Sequence, residues 1–104
     1  MLCRTARDLY WAARNVERAE NTARLVDVTL RIALLPERYD RGRKEAAPWR
    51  RALDALGLAD VVRNRYGRID AESVQRHLLL SAENPSSVYS CLHAARECAR
   101  AQRV

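Results

Sequence analysis

Residues that interrupt regular structure are scarce in this chain: glycine and proline occur three times each in 104 residues. That scarcity argues against a loop-rich sandwich. Together with 48% hydrophobic residues it also argues against a disordered chain. No apolar run approaches the roughly 18 residues that read as a membrane span, so none is expected. Met1-Leu2-Cys3-Arg4 lacks an apolar signal core, which reads as a cytoplasmic start. Cysteine is limited to Cys3, Cys91 and Cys98, an odd set that does not suggest a disulfide framework. Cys91 and Cys98 are seven apart, two helical turns or about 10 Å, too far for a bridge within one helix. Their spacing matches no zinc pattern, and His77 and His93 have no ligand partner at useful spacing. All four are expected to be buried residues of the core.

What is abundant is alanine, leucine and arginine, so propensity favours helix throughout a single small domain. The chain carries 19 basic and 13 acidic residues, a net charge of +6, and only Lys44 among the bases is lysine. Part of the excess sits at residues 37–51, where Arg38, Arg41, Arg43, Lys44, Arg50 and Arg51 face Glu37, Asp40 and Glu45. A basic loop can hold phosphate or nucleic acid. Here only Tyr39 and Trp49 interleave and no docking signature is present, so a solvated connection over 36–48 is the expectation.

The spacing predicts one long helix over 5–35, with Thr5 as its N-cap and Pro36 as its stop. Leu9, Ala12, Val16, Ala19, Ala23, Val26 and Leu30 recur at three and four and form the main apolar stripe. Tyr10, Trp11, Leu25, Val28 and Ile32 form a second stripe on nearly the opposite side, one that something else should cover. A short helix carrying Trp49, Leu53 and Leu56 follows and stops at Gly57. Ala59–Tyr66 reads as another, ended by Gly67. Asp70 is placed to cap Ala71–Leu80, with Val74 and Leu78 inward. Asn84-Pro85 reads as N-cap and first residue of a last helix, whose inner face is Val88, Cys91, Leu92, Ala95, Cys98 and Ala99. The expected fold is an all-α, up-and-down helical bundle built on one long N-terminal helix.

The long helix also carries a polar series, Arg14, Glu17, Glu20, Asn21, Arg24 and Asp27. Arg14, Glu17, Asn21 and Arg24 lie within about 80° on a helical wheel. Glu20 and Asp27 border the main stripe, so Glu17, Glu20 and Arg24 are expected half-buried or paired, with Arg96 and Glu97 of the last helix as partners. Such a lattice can fix the register between helices. Alternatively it forms a groove for a charged small molecule or peptide end, since a planar Arg beside carboxylates suits a carboxylate or phosphate on one side and an amine on the other. No nucleophile stands beside a base and no glycine-rich phosphate loop is present. Glu17-x-x-Glu20 lacks the histidine of carboxylate metal bundles, so neither metal nor other cofactor is expected.

Leu9-Tyr10-Trp11, Arg14 and the run Glu17-Arg18-Ala19-Glu20-Asn21-Thr22-Ala23-Arg24-Leu25 resemble the start of the bacterial alpha-E domain family, an all-helical family named for its Glu-Arg motif. Asn84-Pro85-Ser86-Ser87-Val88, Ser90-Cys91-Leu92 and Ala94-Ala95-Arg96-Glu97 extend the resemblance across essentially the whole chain. The resemblance transfers motif positions to Arg14, Glu17, Arg18, Glu20, Asn21, Arg24, Asn84, Ser86, Ser87, Arg96 and Glu97. Members of that family are longer, which makes residues 1–104 an expected amino-terminal portion. The family's gene neighbourhood implies ATP-grasp ligase-like and transglutaminase-like proteins, and hence amide-bond formation or peptide processing. The expected role is an accessory binding module, with an ATP-grasp ligase-like protein, a missing carboxy-terminal half or a second copy as partner. The alternatives are an enzyme domain whose Glu/Arg site is completed elsewhere and, more weakly, nucleic-acid binding through residues 38–51.

Overall fold

The computed structural model describes residues 2–35 and 47–101. Five α-helices carry them: α1 (Leu2–Ala33), α2 (Ala47–Leu56), α3 (Ala59–Tyr66), α4 (Ala71–Gln75) and α5 (Val88–Arg100). A π-helical turn, Arg76–Leu80, continues directly from α4. No strand occurs among the described residues. The all-α expectation, built on one long N-terminal helix, therefore holds. With no glycine or proline inside it, α1 runs 32 residues, about 48 Å at 1.5 Å per residue. It is already helical at Leu2, so Thr5 lies within it and is not its cap. No helix among the described residues is long and apolar enough to cross a membrane.

The chain divides into two compact units, Met1–Ala23 with Leu78–Val104, and Arg24–His77. In the second unit the core is Trp49, Ala52, Leu53, Val62 and Val74, joined by Val26 and Thr29 from α1. Pro48 stands in the first turn of α2, where its missing N–H costs nothing, so the helix starts one residue before the expected connection ends. Trp49 and Leu53 are buried as the spacing predicts, but Ala52 completes the inner face and Leu56 is exposed. Gly57 (φ 70°) and Gly67 (φ 78°) both adopt the left-handed conformation that L-residues avoid. The Gly67 N–H donates to the Arg63 carbonyl at 2.9 Å and ends α3 where expected.

Asp70 caps α4 as its sequence position foretold. Its Oδ1 accepts from the Ser73 N–H at 2.8 Å, and the Ser73 hydroxyl accepts from the Asp70 N–H at 3.0 Å, a complete capping box. Beyond Gln75 the expected α-helix widens into the π turn, while Val74 and Leu78 still point inward.

His77 is buried, with its ring edge-on to Tyr66 at 5.8 Å between centroids. Burial, and secondarily the charge of Arg65, holds its pKa below the usual 6.5. The folded state thus binds fewer protons than the unfolded chain below about pH 6.5. Stability from this group is complete above the unfolded value and is lost as pH falls towards the folded one. The Ser73 backbone bond lowers Asp70 below its ordinary 3.8, so its contribution is lost only in stronger acid. Urea midpoints should fall between pH 7 and 5 in the parent chain. They should fall less in His77→Phe. Equal slopes in both would remove His77 as the cause.

In the first unit Ala19, Leu78, Cys91, Ala95 and Ser87 are buried. The main stripe of α1 is covered unevenly. Ala19 and Val26 are buried and Ala12 is half-buried, but Leu9, Val16, Ala23 and Leu30 are exposed. On α5 the inner face narrows to Cys91 and Ala95, while Leu92 and Ala99 face outward and Cys98 is half-buried. Of the two histidines only His77 is in the core. His93 is exposed and stacks on Tyr89 with centroids 6.1 Å apart.

Candidate functional site

The two motifs singled out in the sequence meet in the first unit. Arg18 of α1 donates from a terminal guanidinium nitrogen to the Ser86 hydroxyl at 2.7 Å. One turn on, the Thr22 hydroxyl donates to the Ser86 carbonyl at 3.2 Å. Residues 18 and 22 are four apart and so stand on one side of α1, which lets both hold the same turn.

That turn is built from its own side chains. The Asn84 Oδ1 accepts from the Ser86 N–H at 3.0 Å, and the Ser87 N–H donates to the Asn84 carbonyl at 3.0 Å. A local side-chain bond of this kind stabilises a turn in place of a helix. Consequently Asn84 is not the cap of the last helix and Pro85 is not its first residue. Ser87 takes the cap: its hydroxyl accepts from the Ser90 N–H at 3.0 Å and donates to the Ser81 carbonyl at 2.7 Å. The Ser90 hydroxyl lies 3.2 Å from that same carbonyl. The Cys91 thiol points at the Pro85 carbonyl at 3.6 Å, a weak donor closing the inner side of the turn. Asn84 and Ser87 are buried, and Ser86 is half-buried beneath Arg18.

The other motif residues of α1 lie elsewhere. On a wheel of 3.6 residues per turn, Glu17 and Asn21 stand about 160° from the buried Ala19. Arg14, Glu17, Glu20, Asn21 and Arg24 are all exposed. Glu17 pairs along its own helix with Arg14 at 3.1 Å, and Asp27 pairs likewise with Arg31 at 3.3 Å. The expected half-burial of Glu17, Glu20 and Arg24 is thus corrected to exposure. The physical reason is that the buried side of α1 is centred nearer Ala19 and Thr22 than the apolar stripe suggested. Arg96 and Glu97 are also exposed, on α5. The Glu-Arg pair therefore divides: Arg18 clamps the Asn84–Ser87 turn, and Glu17 faces solvent.

Sequence reasoning missed Thr22 as a clamp and Ser81 and Ser90 as parts of the cap. The spacing of four between Arg18 and Thr22 was a readable signal. The convergence on the Ser81 carbonyl was not, because it depends on a turn linking residues from 81 to 90. α1 also exposes Leu9 and Val16 on its main stripe and Tyr10 and Trp11 on the other, the two rings edge-on at 5.3 Å. Tyr10 and Trp11 are 55% and 48% exposed, large values for apolar rings. Of the expected basic segment, Arg50 and Arg51 are exposed on α2, while Arg38, Arg41, Arg43 and Lys44 lie outside the described residues.

The protein is thus an all-helical domain whose long helix carries a Glu-Arg pair, the arginine on the Asn-Pro-Ser-Ser turn and the glutamate turned to solvent. The chain belongs to the Alpha-E family, described as a predicted alpha-helical domain with a conserved ER motif, and the match covers residues 1–104. A search of curated proteins and a search of solved structures each gave no match. A further Glu-Arg pair, Glu37-Arg38, lies outside the described residues.

Proposed function

We propose that this Alpha-E domain is an accessory binding module of an amide-ligation or peptide-processing system. Its partner in this reading is an ATP-grasp ligase-like or transglutaminase-like protein, or that protein's peptide-like substrate. The carrying observation is the outward placement of Arg14, Glu17 and Asn21 on the side of α1 that also exposes Tyr10 and Trp11. Charged residues on the solvent side of a helix add little to folding, so their placement suits contact with another molecule. The mixture also suits recognition, because aromatic rings and arginine supply most of the affinity at protein interfaces.

The two halves of the Glu-Arg pair should separate in experiment. Glu17→Ala should change stability by no more than about 0.5 kcal/mol and abolish capture of the ATP-grasp ligase-like protein. Arg18→Ala should cost about 0.5–1.5 kcal/mol by releasing the Ser86 turn. Urea denaturation beside a pull-down reads both. A Glu17→Ala chain that is strongly destabilised, or that still captures the ligase-like protein, would contradict the reading.

A further inference from the structure

A second polar site lies in the unit formed by residues 24–77 and does not rest on the function proposed above. The left-handed turn at Gly67 ends α3 and leads straight into Arg68. Asp70 then caps α4, and Arg68 just before the cap, Glu72 in the first turn and Arg76 at the start of the π turn are spaced four residues apart. Together with Tyr66, Gly67 and Ser73 these three line an open cavity of about 220 Å³. A water occupies about 30 Å³ of liquid, so the cavity has room for a small oxyanion with an organic group attached.

Its electrostatics are those of an arginine clamp loosely occupied from within. The Glu72 carboxylate lies 3.6 Å from a guanidinium nitrogen of Arg68 and 3.5 Å from one of Arg76. Charge-assisted bonds of full strength are about 2.7–2.9 Å. Arg68 is held more firmly by Asp70, whose Oδ2 lies 2.7 Å from its Nε. That bond orients the guanidinium, one terminal nitrogen of which reaches towards Glu72. The side chains of Arg68, Glu72 and Arg76 are 66%, 67% and 59% exposed, so the internal pairs are weak and readily exchanged. Arg65 sits over the Tyr66 ring, 5.8 Å from its centroid, and adds positive charge beside that ring.

We propose that Arg68 and Arg76 bind a small phosphomonoester, its dianionic phosphoryl group displacing the Glu72 carboxylate and its organic group resting on Tyr66. Three phosphoryl oxygens can accept from both planar guanidiniums at once, which one shared carboxylate does at longer range. Glu72 acts as a built-in competitor that occupies the clamp when no ligand is present.

The test is an amide-resolved NMR titration of the whole chain at low salt, with inorganic phosphate and phenyl phosphate as probes. Saturable shifts are expected at residues 66–76, with phenyl phosphate the tighter probe. Arg68→Ala and Arg76→Ala should each weaken binding roughly tenfold, the loss of one charge-assisted contact. Glu72→Gln should tighten it by removing the competing charge. All three side chains are exposed, and unchanged circular dichroism checks that each variant folds. Shifts that never saturate would overturn the proposal. So would an affinity unaltered in the double arginine variant, or phenyl phosphate binding no tighter than phosphate.

Discussion

Trp49→Ala is expected to lower the unfolding free energy by roughly 3–5 kcal/mol, the largest loss of any single substitution considered. Trp49 is 2% exposed and stands in the first turn of α2 among the core residues Leu53, Val62 and Val74. These are the largest fully buried side chains of the unit, and short helices such as α2, α3 and α4 are marginal alone in water. Their stability comes from the face they bury, and the indole is the largest single piece of it. Removing it leaves a void that three short helices cannot close without giving up their own contacts. A urea titration followed by circular dichroism should show the midpoint falling sharply. A loss below about 1 kcal/mol would mean that the site collapses around the smaller residue and that Trp49 is not the centre of this core.

The second large effect is expected at Ser87→Ala, at about 1–3 kcal/mol. One hydroxyl accepts the Ser90 N–H that opens α5 and donates to the Ser81 carbonyl that closes the preceding turn. Ser87 is fully buried, so water does not replace either bond. Ser86→Ala is the informative comparison. It removes a half-buried hydroxyl whose partner, Arg18, can turn to solvent, and should cost no more than about 1 kcal/mol. Equal losses for the two serines would show that the Arg18 contact, and not the cap, governs the turn.

Together these effects give the Asn84–Ser87 signature a structural meaning. Asn84 closes the turn, Ser86 is the handle that Arg18 and Thr22 grip, and Ser87 starts the last helix. In the sequence, Asn followed by Pro has the form of a helix start. The alternative, an Asx-type turn capped three residues later, uses the same residue types and differs only in which N–H reaches which oxygen. Local propensity does not separate the two. The bonds to Ser81 from Ser87 and Ser90, and to Ser86 from Arg18, join residues up to 68 apart and select the turn.

Several helix ends were readable from the chain because their causes are local. Gly57 and Gly67 end helices through a backbone conformation that other residues avoid, and Asp70 begins one with a carboxylate reaching three residues ahead. The absence of breakers made α1 a single helix. Burial is a different matter, because it depends on which side of a helix meets another element. Leu9, Val16 and Leu30 fall on the stripe that periodicity marks as inward, yet they are exposed. Ala19, Thr22 and Arg18 mark the contact side instead, because a small residue permits close approach and the two polar ones reach a turn distant in sequence. The same selection separated the Glu-Arg pair. Neighbours on a helix diverge by about 100°, so when Arg18 turns to the Asn84–Ser87 turn, Glu17 must turn towards solvent. Composition and spacing thus account for the helices and name the motif, whereas the assignment of a structural arginine and a solvent-facing glutamate required the long-range packing of α1 against residues 84–87.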